Sequence, residues 1–164
     1  MALEIERKFL LLNDDWRSLV NRSQRMQQGY LSKGEQRSVR VRVSGDDEAF
    51  LNIKSARQGS GISRLEFEYA IPVNEAREIL ESVALKPYID KTRFYIQQDE
   101  VCWEIDEFYG DNQGLIVAEI ELPAEDYSFV RPDWLGKEVS DDPRYYNMNL
   151  MQMPFNQWPE NQCD

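Results

Sequence analysis

Histidine is absent from this chain of 164 residues. That absence excludes Ser-His-Asp triads, Cys-His pairs and histidine metal centres. Cysteine is almost absent: Cys102 and Cys163 are too far apart for a C-x-x-C ligand pair. Cys163, at the penultimate position, is expected in a frayed tail, and such sparse thiols suit a reducing, cytoplasmic setting. No apolar run approaches the length of a membrane span, and no signal-peptide pattern opens the sequence. A surplus of positive charge is missing too, since 19 Lys and Arg face 30 Asp and Glu, a formal net charge of −11. The resulting field repels nucleic acid and anionic lipid, so neither is expected as a partner. An acidic chain still binds a small anion wherever its few cations converge on one site.

What is present is alternation. From Leu3 to Leu11 the apolar residues Leu3, Ile5, Phe9 and Leu11 share one parity, and Glu4, Glu6 and Lys8 share the other. The same period predicts strands over Val39–Val43, Ala49–Lys54, Ile62–Ile71, Asp90–Gln97, Val101–Phe108 and Leu115–Leu122, with a further strand around Met26–Leu31. Turn residues break the pattern at Lys33-Gly34-Glu35, Ser44-Gly45-Asp46-Asp47, Gln58-Gly59-Ser60-Gly61 and Gly110-Asp111-Asn112. Helices are expected from Asn13 or Asp14 to Val20 and from Asn74 or Glu75 through Val83. Asp142-Pro143 reads as an N-cap and first-turn pair for a helix from Arg144 to about Met151, and Pro123–Phe129 as a short helical connection. With no repeats or linkers, one domain is expected over residues 1–154, followed by an irregular tail over 155–164.

The polar parity carries the message. It reads Glu4, Glu6, Lys8; Arg40, Arg42; Asn52, Lys54; Arg64, Glu66, Glu68; Lys91, Arg93; Glu104, Asp106; Glu119, Glu121. Any one strand could simply show a solvated face, but such faces mix in Thr, Ser and Gln, and here nearly every position is ionisable. Carboxylates at i and i+2 stand about 7 Å apart and repel unless a cation lies between them. About eight antiparallel strands can close into a barrel. The reading is therefore an α+β fold: an eight-stranded antiparallel closed barrel, a tunnel with a charged lumen. Its apolar outer parity must then be covered by the few helices. Glutamates offer hard oxygen ligands for Mg²⁺ or Mn²⁺, and arginines and lysines suit phosphate oxygens. A metal–polyphosphate complex uses both sets.

Glu4-Ile5-Glu6-Arg7-Lys8 has the form E-x-E-x-K. It is followed in order by Gln28-Gly29-Tyr30-Leu31, Arg40-x-Arg42, Ile53-Lys54-Ser55, Arg64-x-Glu66-x-Glu68 and Lys91-Thr92-Arg93-Phe94. Glu104-x-Asp106, Glu119-x-Glu121, Trp134-x-Gly136-x-Glu138-Val139-Ser140 and Arg144-Tyr145-x-Asn147 complete the set. Over residues 3–150 this resembles the CYTH family, or triphosphate tunnel metalloenzymes, and most of all its short bacterial members that hydrolyse inorganic tripolyphosphate. The resemblance implies that Glu4, Glu6, Glu119 and Glu121 bind the metal, and that Lys8, Arg40, Arg42, Lys54 and Arg93 hold the triphosphate. It implies a Tyr30–Lys91 dyad that deprotonates the attacking water. Glu66, Glu68, Glu104 and Asp106 are left between a second metal, the nucleophilic water and orientation of the basic groups; Arg64 is expected to orient. Tyr146 and Met148 depart from the lysines usual in relatives, which leaves Arg144 as the last helix's cation for substrate.

The family also hosts class IV adenylyl cyclases, thiamine triphosphatases and RNA triphosphatases, and a non-catalytic polyphosphate-binding module is a further alternative. The carboxylates argue against a pure anion binder. The oligomeric state stays open, a homodimer included.

Overall fold

A computed structural model describes residues 3–32, 36–58 and 61–161. The strands are β1 (Leu3–Leu11), β2 (Arg22–Tyr30), β3 (Arg37–Ser44), β4 (Glu48–Ser55), β5 (Ser63–Ala70), β6 (Ile89–Gln98), β7 (Val101–Phe108), β8 (Ile116–Glu121) and β9 (Leu135–Glu138). The helices are α1 (Val73–Ser82) and α2 (Asn147–Gln152). Hydrogen-bonded neighbours run β5-β4-β3-β2-β6-β7-β8-β1, and β1 pairs back onto β5, so eight antiparallel strands close. The eight alternating segments are these strands, and alternation is what closure requires, because each strand has one face inside and one outside. The expected turns at Lys33-Gly34-Glu35 and Gly59-Ser60 fall outside the described residues, as does Cys163.

β9 is not foreseen by the sequence. It pairs with β1 at Phe9 and Leu11, across a shift in register, while β5 pairs with β1 only over Leu3–Ile5. One edge of β1 is thus shared by two strands, and its other edge takes β8 over Glu6–Leu10. Gly136 permits the close approach: a Cβ there would lie 2.8 Å from the Leu10 carbonyl oxygen. Gly29 does the same under α1, where a Cβ would meet Ala84 and Leu80 at 2.9 Å.

The outer parity is apolar as expected, but helices cover only part of it. α1 lays Ala76 and Leu80 on Val41, Val43 and Ala49. Outside β1, β7 and β8 the cover is the connection between β8 and β9, which is irregular where a helix was expected over Pro123–Phe129. Pro123 and Pro132 bracket that stretch, and its aromatic side chains anchor it instead of a helical stripe. Trp103 is fully buried at the centre, with ring centroids 5.5 Å from both Phe129 and Trp134 and 5.8 Å from Phe9. The first expected helix is a 3-10 turn, Asp15–Leu19, with Trp16 buried. Among the described residues there is no such cover over β4, β5 and the start of β1: Leu3 is 41% exposed, Ile53 39%, Phe67 45% and Tyr69 54%.

The helix expected from Arg144 to Met151 is split. Pro143–Tyr145 forms a 3-10 turn, capped by Asp142 accepting from the Arg144 N–H, and Tyr146 is extended (φ −71, ψ 133) before α2 begins. Tyr146 is held there by its hydroxyl, which donates to the Ser140 carbonyl at 3.1 Å. Residues 155–161 carry two further 3-10 turns, and Trp158 is buried against Tyr145 and Phe155. Among the described residues no helix is long and apolar enough to cross a membrane.

Candidate active site

Register brings the charged parity together inside the barrel. Glu6 faces Glu121 and Lys8 faces Glu119 across β1 and β8; Glu104 faces Glu119, and Arg93 faces Asp106. On the opposite wall Arg40 faces Tyr30 and Asn52, Arg42 faces Gln28, and Lys54 faces Glu66. The enclosed cavity has a volume of about 530 Å³. Glu4, Glu6, Lys8, Tyr30, Arg40, Arg42, Lys54, Arg64, Glu66, Glu68, Arg93, Glu104, Glu119 and Glu121 all line it.

Three of the expected site residues do not. Lys91 and Asp106 are completely buried in the wall, where Lys91 donates to Asp106 at 2.8 Å. Asp106 also accepts two bonds from Arg93, both at 2.8 Å, which fixes the Arg93 guanidinium across the lumen wall. Arg144 lies outside, 45% exposed, pairing with Asp142 and Glu160 at 2.8 Å each. The acidic N-cap beside it draws the side chain to the surface. The Tyr30–Lys91 dyad is not assembled either. Lys91 stands opposite Met26 on β2, four residues from Tyr30, or about 13 Å along the strand. Lys91 is spent on Asp106, and Arg40 is the cation beside Tyr30, facing it across β2 and β3.

The carboxylates divide into two kinds. Glu4 is buried, which opposes its charge, but Lys54 at 2.9 Å, a hydrogen bond from Glu6 and the nearby Arg64 hold it down to about 2. Glu119, likewise buried, is held well below the usual carboxylate range by Lys8 at 3.3 Å, Arg93 and Lys91. Burial and the facing carboxylates of Glu119 and Glu4 push Glu6 well above that range. Glu121 is raised by burial and by Glu4, Glu104 and Glu66. Glu6 and Glu121 are therefore harder to ionise than Glu4 and Glu119.

The cations divide as well. Arg93 is paired with Glu104 at 2.5 Å besides Asp106, and Lys54 bridges Glu4 and Glu66. Among the described residues, Glu68 at 3.6 Å is the one carboxylate that Arg42 meets. Burial and the adjacent Arg40 and Arg93 guanidinium groups push it down to about 10. The Nε atoms of Arg40 and Arg42, both amide atoms of Gln28 and the Asn52 Oδ1 are buried without a hydrogen-bond partner in the protein. Burial, opposed by Asp106 and aided by Arg93, lowers Lys91 to about 8.

Among the described residues no three carboxylates converge closely enough to chelate a metal, since Glu4 and Glu119 are turned to lysines. The donor set fits a hard divalent cation in its chemistry: oxygen ligands only, with Glu6 crowded by the carboxylates of Glu119 and Glu4, which disfavour its ionisation until a cation lies between them. Sequence reasoning missed Gln36, Ser38, Ser55 and Arg57, which also line the cavity, and gave no site role to Tyr146 and Asn147. The first four lie where no charge alternation marks them.

The CYTH domain family profile matches residues 2–146. Over 160 residues the chain is 48% identical to an inorganic triphosphatase of Acetivibrio thermocellus, covering 98% of this chain and all of that one. It is 34% identical over 151 residues to an inorganic triphosphatase of Nitrosomonas europaea, covering 90% and 95%. A crystal structure of an inorganic triphosphatase superposes with a TM-score of 0.63 at 30% identity, covering 92% of this chain and 95% of the other.

Proposed function

Because this chain belongs to the CYTH family, we propose that it is a hydrolase splitting inorganic tripolyphosphate into pyrophosphate and phosphate. The observation that carries this is the cluster of Arg40, Arg42 and Arg93, which repel one another across the lumen, with the Arg40 and Arg42 Nε donors unpaired. A polyanion is the ligand that relieves all three. Arg93, Arg40 and Arg42 bind phosphoryl oxygens, Lys54 and Lys8 add ammonium donors, and Asp106, with Lys91 beneath it, fixes the Arg93 fork. Arg64, Glu66, Glu68 and Glu104 orient these cations. Arg144 has no part in binding.

Triphosphatases of this family are metal-dependent in general. Glu4, Glu6, Glu119 and Glu121 would hold a hard divalent cation, Mg²⁺ or Mn²⁺, which when bound would supply Lewis-acid polarisation of the phosphoryl oxygens. Water attacks the terminal phosphorus as the bridging P–O bond breaks, and pyrophosphate leaves. Tyr30, whose side chain reaches the cavity beside Arg40, is the protein group that would accept the water's proton, acting as its phenolate. The same reading places the enzyme in the cytoplasm with no nucleic-acid or membrane partner, as a monomer or a homodimer, which sedimentation distinguishes.

Phosphate release measured side by side for tripolyphosphate, ATP, thiamine triphosphate and pyrophosphate tests this. Tripolyphosphate should be preferred, because a lumen charged along its length leaves groups unpaired against a nucleoside. Chelation should stop turnover. Cyclic AMP made from ATP faster than tripolyphosphate is split would overturn the proposal.

A further inference from the structure

At the end of the barrel covered by α2, the lining changes character. Gln36, Ser38, Ser55 and Asn147 are neutral and polar there, and the Asn147 Oδ1 is buried without a partner. One cation stands among them. Arg57, just beyond β4, has its guanidinium carbon 4.4 Å from the centroid of the Tyr146 ring and donates to the Gly61 carbonyl at 3.3 Å. Lys8, Arg42, Lys54, Arg64 and Arg93 each meet a carboxylate, whereas among the described residues none pairs with Arg57. Its charge is steered by a ring face and left uncompensated on the lumen side. Tyr146 is itself fixed by its bond to Ser140.

We propose that Arg57 is a further substrate-contacting residue, which takes the phosphoryl group furthest from the Arg40–Arg42–Arg93 cluster, and that Tyr146 is its positioning residue. This rests on the triphosphatase reading. A chain of two phosphates is satisfied by the arginine cluster with Lys54, and a third reaches the neutral end, where Arg57 is the fixed cation. Arg57 thereby sets the minimum length of a well-held substrate, and the neutral polar groups around it leave it no competing carboxylate.

The test is calorimetric binding of tripolyphosphate and of pyrophosphate to metal-free protein, with steady-state kinetics alongside. Arg57→Ala should weaken tripolyphosphate about tenfold and pyrophosphate less than about twofold, one charge-assisted contact being lost. KM for tripolyphosphate should rise while kcat changes little. Arg57→Lys should recover part of the loss. Tyr146→Leu should act in the same direction and Tyr146→Phe, which keeps the ring, much less. Equal weakening of both ligands, or of neither, would overturn the role of Arg57, the former marking it as a staple of the β4–β5 connection. If wild-type protein bound no tripolyphosphate, the triphosphatase reading itself would fall.

Discussion

Two walls of the same lumen treat charge in opposite ways. On the β6–β7 wall, Lys91, Arg93 and Glu104 are knitted around Asp106 at 2.5–2.8 Å, and the network is complete without any ligand. On the β2–β3 wall, Arg40 and Arg42 stand side by side with unpaired Nε atoms, flanked by a buried and unsatisfied Gln28. The first wall is a scaffold and the second presents unpaired donors suited to an anion. Buried charge is tolerated in both, but the first is compensated by ion pairs at 2.5–2.8 Å and the second by the longer contact of Arg42 with Glu68 at 3.6 Å, so the two should respond differently to the same kind of mutation.

The largest expected effect is on the paired wall. Asp106→Asn leaves Lys91 and Arg93 buried with a neutral partner, and should cost about 3–5 kcal/mol of stability, read by denaturant melts. On the open wall, Arg42→Ala should lower kcat/KM about a hundredfold, roughly 2.7 kcal/mol of transition-state binding, while the melting temperature holds or rises. A melting temperature that fell as far as in Asp106→Asn would erase the distinction between the walls. Ligand should close the gap: tripolyphosphate with Ca²⁺ at about a hundred times Kd should add about 2.7 kcal/mol of stability, and much less in Arg42→Ala at the same concentration.

The smallest effects separate the carboxylates by pH. Glu4 and Glu119 have folded pKa values below 4.5, so their stabilisation is present above that value and is lost as pH falls, for Glu4 toward about 2 and for Glu119 through its own lowered value. Glu6 and Glu121 have raised values, so their unfavourable charge appears as pH rises past 4.5. In metal-free protein at neutral pH, Glu4→Gln should therefore lower the melting temperature and Glu6→Gln should hold or raise it. The same direction of change in both variants would contradict this division.

Much of this was legible in the sequence because a barrel strand writes its two faces alternately. The parity of Glu4, Glu6 and Lys8 against Ile5 and Phe9 suffices to place the former inside. Depth along the lumen is not written in parity. Lys91 and Arg93 look equivalent in sequence, yet Arg93 lines the cavity and Lys91 is sealed behind it. Loops carry no period, so Arg57 gave no signal, and four residues were too few to announce β9. Arg144 was misread because the pull of Asp142 and Glu160 depends on how the last helix breaks at Tyr146. The covering of Trp103 by Phe129 and Trp134 follows from packing of an irregular segment, for which helical spacing is no guide.

The shared edge of β1 sets the order of assembly. During synthesis the first strand is made well before any of its three partners, which appear at residues 63–65, 116–121 and 135–138. Hairpins such as β3–β4 and β6–β7 can form from neighbouring sequence, but ring closure waits on contacts more than a hundred residues apart. Loop closure of that span precedes any reward from pairing, so refolding belongs in the slow regime of milliseconds to seconds, about that of other non-local β folds. On the ribosome, β5 can reach Leu3–Ile5 early, but the Phe9–Leu11 end of that edge stays unpaired until the Trp134–Glu138 stretch has cleared the exit tunnel.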